Sequence, residues 1–102
     1  MSKSPFGICG ITHWALKVED FERSLTFYRD RSGFPEIMRI HHQDGNLMLV
    51  YLRVTDTQFM EIFPRAKGGT GPAADANCVH HICLAVANIE ATAALEKALT
   101  RA

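Results

Sequence analysis

Neither sign of charge prevails in this chain. Its 102 residues set eleven Lys and Arg against eleven Asp and Glu. That balance leaves no basic footprint, so no nucleic-acid partner is expected. No apolar run approaches the roughly 20 residues of a membrane span, and no membrane partner is expected either. The opening Met1-Ser-Lys-Ser-Pro-Phe6 lacks the apolar centre of a secretory leader, which points to a cytoplasmic protein. Cysteine is scarce: Cys9, Cys78 and Cys83 are odd in number and show no CxxC spacing. They read as reduced thiols, not as a disulfide frame. Hydrophobic residues make up 47% of the chain, enough for one globular core and too many for a disordered one.

What is present, before anything else, is repetition. Ile11-Thr-His-Trp-Ala-Leu-Lys-Val-Glu-Asp-Phe-Glu-Arg-Ser24 returns as Val79-His-His-Ile-Cys-Leu-Ala-Val-Ala-Asn-Ile-Glu-Ala-Thr92. At one constant offset His13 falls on His81, Leu16 on Leu84, Val18 on Val86 and Glu22 on Glu90. An internal repeat of this kind governs architecture. A strand, a cap and a helix are used once and then begun again.

Period-two geometry over the first strand, about Gly10 to Val18, puts Thr12, Trp14, Leu16 and Val18 on one face. That apolar set should bury, leaving His13 on the opposite face beside Ala15 and Lys17. Asp20 is a good N-cap for a helix over 21–32, with Phe21, Leu25 and Tyr28 as its apolar stripe and Gly33 ending it. Strands follow over 34–42, 47–54 and 58–63. The Asp44-Gly45 pair marks the first hairpin and Thr55-Asp56-Thr57 the next turn. The Gly-, Pro- and Ala-rich stretch after Phe63 has no periodicity and reads as a linker. The second copy then supplies a strand over 79–86, with Ile82, Leu84 and Val86 inward and Cys83 as a small core-filler. Asn88 caps a helix from Ile89 to about Arg101. The fold class is therefore α+β. A βαβββ module occupies 1–63, a linker 64–78, and the first strand and helix of a second, truncated module 79–102.

Three residues stand out as metal ligands. His81 repeats His13, and packing seldom demands imidazole twice. Glu61 lies in Phe59-Met-Glu-Ile-Phe63, where an unpaired carboxylate costs several kcal/mol or is forced neutral. A cation would remove that cost; so would Arg53 or Arg39. Two imidazoles and a carboxylate suit a divalent Zn, Ni, Fe, Co or Mn ion better than Ca or Mg. His41 and His42 are adjacent on a strand and point to opposite faces, so they read as hairpin-end residues. His80 faces away from His81 and reads as structural.

The run Ile11-x-His13-x-Ala15-Leu16-x-Val18-x-Asp20, with Ser24, Phe27-Tyr28, Asp30 and Gly33-Phe34, resembles the opening of a vicinal-oxygen-chelate module. That superfamily includes glyoxalase I, bleomycin-resistance proteins and extradiol dioxygenases. Phe59-Met-Glu-Ile-Phe-Pro64 resembles its fourth strand and Val79 to Val86 the start of its second module. Ser32 departs from the pattern, standing where leucine is common.

The resemblance implies paired βαβββ modules curled around a metal, with His13, Glu61 and His81 similar to the ligands of the glyoxalase I-like branch. It implies a metalloenzyme, a lyase or isomerase, taking a small substrate with vicinal oxygens through an enediolate, with the metal-bound Glu61 as catalytic base. A fourth ligand is projected beyond Ala102, so the site within these residues is expected to be incomplete. Either the chain is a fragment, or two copies associate as a homodimer. Two other functions fit the superfamily: a small-molecule binding module without chemistry, and an extradiol dioxygenase relative.

Overall fold

The computed structural model describes residues 4–65, 75, 77–79 and 81–100, except the side chains of 98–100. The chain forms two compact units, Met1–Ala66 and Lys67–Ala102.

In the first unit, β1 (His13–Lys17), α1 (Phe21–Leu25), β2 (Glu36–His41), β3 (Leu47–Arg53) and β4 (Phe59–Phe63) follow in chain order. The strands form a four-stranded sheet in the order β1-β4-β3-β2. β1 lies parallel to β4, and the two hairpin pairs are antiparallel. The crossover through α1 is what lets β1 join β4 in parallel.

The expected parity of β1 holds from Trp14 onward, whereas Thr12, expected on the buried face, precedes the strand and is exposed. Trp14, Leu16 and Val18 pack on the core made by Leu25, Val50, Leu52, Met60 and Ile62. Phe21, Tyr28 and Phe34 join from the helical side. Leu25 is fully buried, so the helix is anchored through one residue of its stripe. Asp20 caps it as expected: its carboxylate accepts from the Arg23 amide at 3.1 Å.

The helix differs from expectation after Leu25. Residues Thr26–Arg31 are π-helical. The Ser32 amide and hydroxyl both donate to the Phe27 carbonyl at 2.9 Å. A leucine at position 32 would offer no second donor there. Gly33 follows at φ +82°, the left-handed end residue that closes a helix at little cost for glycine.

On the helical side Glu36 accepts from Arg39 at 2.8 and 3.1 Å and from Arg29 at 3.0 Å. The hydrogen bonds from Arg39, and then those from Arg29, hold its carboxyl below the ordinary value of 4.5 against the opposing effect of burial. A depressed carboxylate stabilises fully above its ordinary pKa and loses that contribution as pH falls through its folded value. Glu36→Gln should therefore cost about 0.5–1 kcal/mol near pH 7, the small value reflecting solvent screening of a partly exposed pair. The difference from wild type should shrink as pH falls below the ordinary carboxylate value of 4.5 and through the lower folded value, as read from denaturant midpoints.

The second unit repeats the cap. Asn88 Oδ1 accepts from the Ala91 amide at 2.8 Å, as Asp20 does from Arg23, and α2 (Ile89–Thr100) follows. The expected strand is not formed: residues 81–86 belong to no sheet among the described residues. Ile82, Leu84 and Val86 are 47%, 45% and 47% exposed, and Cys83 is exposed rather than a core-filler. A strand exists only with a neighbour to bond, and the described residues offer this segment none. His80 and most of the linker lie outside the described residues. Among those described, no helix is long and apolar enough to cross a membrane.

Candidate metal-binding face

The face of the sheet turned away from α1 holds the candidate ligands His13 and Glu61. Register fixes its layout, because directly paired residues project to the same side. His13 stands beside Phe59, which stands beside Arg53. One step along, Ala15 stands beside Glu61, and Glu61 beside Tyr51 and then Met38. Ala15 is the reason Glu61 can be reached from β1, since a larger side chain there would fill the space between.

Glu61 is 8% exposed, the only buried charged residue among those described. Arg53 and Arg39, the structural alternatives for neutralising it, do not do so. Arg39 is on the other face, bound to Glu36 and 6.0 Å from the centre of the Phe21 ring. Arg53 donates to the Asp56 carbonyl at 3.2 Å and lies 5.3 Å from the centre of the Phe59 ring.

Glu61 instead has His13 and Tyr51. His13 Nε2 lies 3.7 Å from Glu61 Oε2, and its side chain is half exposed. That separation is too long for a hydrogen bond. It is close to the roughly 3.0–3.4 Å spanned by an imidazole nitrogen and a carboxylate oxygen that share one first-row ion, given bonds of about 2.0–2.2 Å. The other ring nitrogen, Nδ1, is 3.4 Å from Thr12 Oγ1. With the proton on Nδ1, it donates to Thr12 and leaves the Nε2 lone pair facing the carboxylate. That is the tautomer a metal ligand needs.

Tyr51 stands directly across from Glu61 on β3. Interaction with the Glu61 carboxylate, and then burial, raise its phenol above the usual pKa of 10.0. Sequence reasoning missed Tyr51. Counting outward from the turn at Thr55-Asp56-Thr57 through the pairs Arg53–Phe59 and Leu52–Met60 would have reached it.

Of the three expected ligands, the structure brings His13 and Glu61 together. His81 belongs to the second unit and makes its own contacts. Among the described residues no group of three or more His, Cys, Asp or Glu side chains gathers as a ready metal cage. His41 and His42 lie at the far end of β2, where the His42 amide closes the hairpin on the Asn46 carbonyl at 2.8 Å. The donor pair present, an imidazole nitrogen and a buried carboxylate without an arginine, fits a divalent transition ion.

Known proteins agree with this fold. The family model described as the glyoxalase/bleomycin resistance protein/dioxygenase superfamily matches residues 10–98. Among solved structures, the crystal structure of lactoylglutathione lyase from Agrobacterium tumefaciens is similar, with a TM-score of 0.60 at 18% identity. The match covers 90% of this chain and 69% of that one, and at such identity it speaks for the fold. No curated protein matches the sequence significantly. The βαβββ order and the family match over nearly its whole length place this chain in the glyoxalase/bleomycin resistance protein/dioxygenase superfamily.

Proposed function

We propose that this chain contributes a divalent-metal centre to a glyoxalase-like lyase or isomerase acting on a small substrate with two neighbouring oxygens. The observation that carries this is Glu61: a buried carboxylate, without an arginine partner, within 3.7 Å of an imidazole nitrogen on an otherwise half-open face. His13 and Glu61 would hold the ion, with His81, the repeat of His13, as the third ligand. When bound, a Zn, Ni, Fe, Co or Mn ion would polarise the substrate oxygens as a Lewis acid.

The chain's own residues do the rest. Glu61 takes the proton from the carbon next to the substrate carbonyl and returns it to the neighbouring position, as a base shielded from bulk water. Phe59 lies next to both His13 and Glu61 and gives the substrate an apolar floor. Ala15 keeps the space beside Glu61 open.

Metal analysis of the purified protein tests the assignment. Wild type dialysed against Zn²⁺ should retain the ion, and His13→Ala and His81→Ala should each lower its affinity by at least about 10-fold. Equal retention by wild type and both variants would overturn the ligand set. Ligand binding that survives complete chelation, with no turnover at any metal loading, would favour a non-catalytic binding module instead.

A further inference from the structure

Arg53 ends β3 on the face that holds His13 and Glu61. Met60 and Ile62 turn into the core, so Phe59 and Glu61, at the alternate positions of β4, turn to the opposite face. The Arg53 guanidinium lies over the Phe59 ring, 5.3 Å from its centre, which sets the charge on that same face. Its Nη1 donates to the Asp56 carbonyl at 3.2 Å. The turn that carries this carbonyl is itself closed by the Val54 and Thr55 amides, which donate to the Gln58 carbonyl at 2.9 and 3.1 Å. Two contacts therefore place the guanidinium before any ligand arrives.

The other well-placed arginines of the unit are neutralised. Arg29 pairs with Asp30 and Glu36, and Arg39 pairs with Glu36. No carboxylate among the described residues pairs with Arg53, and Asp56 gives it a backbone oxygen. An arginine keeps its charge at any ordinary pH and carries five donors. With Nη1 anchored, Nε and Nη2 remain as the side-on fork that grips a carboxylate through two parallel hydrogen bonds.

We propose that Arg53 is a specificity-determining residue of the site, and that the substrate carries a carboxylate beyond its two chelating oxygens. The proposal rests on the metal-binding reading above, with the ion between His13 and Glu61. Neighbouring strands lie about 4.8 Å apart, so Arg53 is one strand from Glu61 and two from His13. A few carbon atoms span the interval between the chelated oxygens and the fork. Stacking on Phe59 holds the plane of the guanidinium, and a carboxylate matches that plane as a point charge such as an ammonium could not.

α-Ketoglutarate and α-ketovalerate are the probes. Both present the same pair of vicinal oxygens on a chain of the same length, and only the first ends in a second carboxylate. Calorimetric titration of the Zn²⁺-loaded whole chain should give α-ketoglutarate the tighter binding by about 10–100-fold, as expected for a charge-assisted pair. Arg53→Met, which keeps an apolar stem over Phe59, should bring the two affinities together. A role confined to holding the turn would lower both affinities alike and leave their ratio where it was. Equal affinities in wild type, a ratio preserved in Arg53→Met, or failure of both acids to bind would overturn the proposal. The wild-type ratio needs no variant and stays decisive if Arg53→Met folds poorly. Removing Zn²⁺ should weaken both acids. A preference for α-ketoglutarate that survives complete chelation would remove the metal centre and still support Arg53 as the carboxylate site, so the two failures are distinguishable.

Discussion

Glu61→Leu is expected to abolish metal binding and, in chelator, to make the first unit more stable. The two effects have one cause. A carboxylate at 8% exposure has been taken out of water and given only a phenol and a neighbouring imidazole in return. Desolvation of a charge exceeds what incomplete partners restore, and replacement by a well-packed apolar group is often neutral or stabilising by about 1–4 kcal/mol. Leucine is close to glutamate in volume, and Phe59, Phe63 and Met60 flank the position along the strand. The gain belongs at the low end of that range, because Tyr51 and His13 lose a partner, though both are exposed enough to bond water. For a unit of this size about 1 kcal/mol corresponds to roughly 4–8 °C in Tm.

The loss on the metal side should be larger than the 10–100-fold expected for an outer partner, because a ligand itself is gone. Thermal unfolding in chelator and Zn²⁺ titration of the same preparations check both signs. A variant destabilised in chelator would mean that Glu61 is a structural acceptor, placed there for the fold. Glu61→Gln, which keeps the shape and one acceptor, should lose metal as well but without the gain in stability.

Glu61 and His13 were legible because each is anomalous in one dimension. A carboxylate between Met60 and Ile62 breaks the apolar pattern of its strand, and the parity of Trp14, Leu16 and Val18 sends His13 to the other face. Tyr51 was not legible in the same way. It is an ordinary strand residue, and its importance comes from register, which depends on where the hairpin turn closes. The π-helical turn escaped for a related reason. Phe21, Leu25 and Tyr28 satisfy a helical period whether the next amide reaches back four residues or five, and only Ser32 marks the difference. The repeat predicts a strand over 79–86, which the described residues 81–86 do not form, whereas its helix cap at Asn88 forms as expected. A cap is local, completed within four residues. A ladder requires a partner strand, which sequence similarity to β1 does not supply.

Leu25→Ala should be the most destabilising single truncation in the first unit, by about 2–5 kcal/mol. Leu25 is the fully buried residue that the helix contributes to a core otherwise built from Val50 and Leu52 of β3 and Met60 and Ile62 of β4. Its removal leaves a cavity at the junction, and the short α-helical stretch of Phe21–Leu25, followed at once by π-helical residues, has little intrinsic stability with which to compensate. Phe27→Ala removes more atoms but should cost under about 1 kcal/mol, because Phe27 is 38% exposed and stacks edge-on against Tyr28 at the surface.

The contrast separates burial from size, and denaturant midpoints at constant slope read it directly. It also bears on the candidate site. β1 is an edge strand, bonded on one side to β4 and backed by the helix through Trp14, Leu16 and Val18. Loosening the helix therefore frees the strand that carries His13, whereas Glu61 on the inner β4 stays anchored between two neighbours. Hydrogen exchange in Leu25→Ala should rise first at the β1 amides bonded to β4, and least at those shared by β3 and β4. Uniform acceleration across all four strands would mean that the sheet opens as one unit and that His13 is held no less firmly than Glu61.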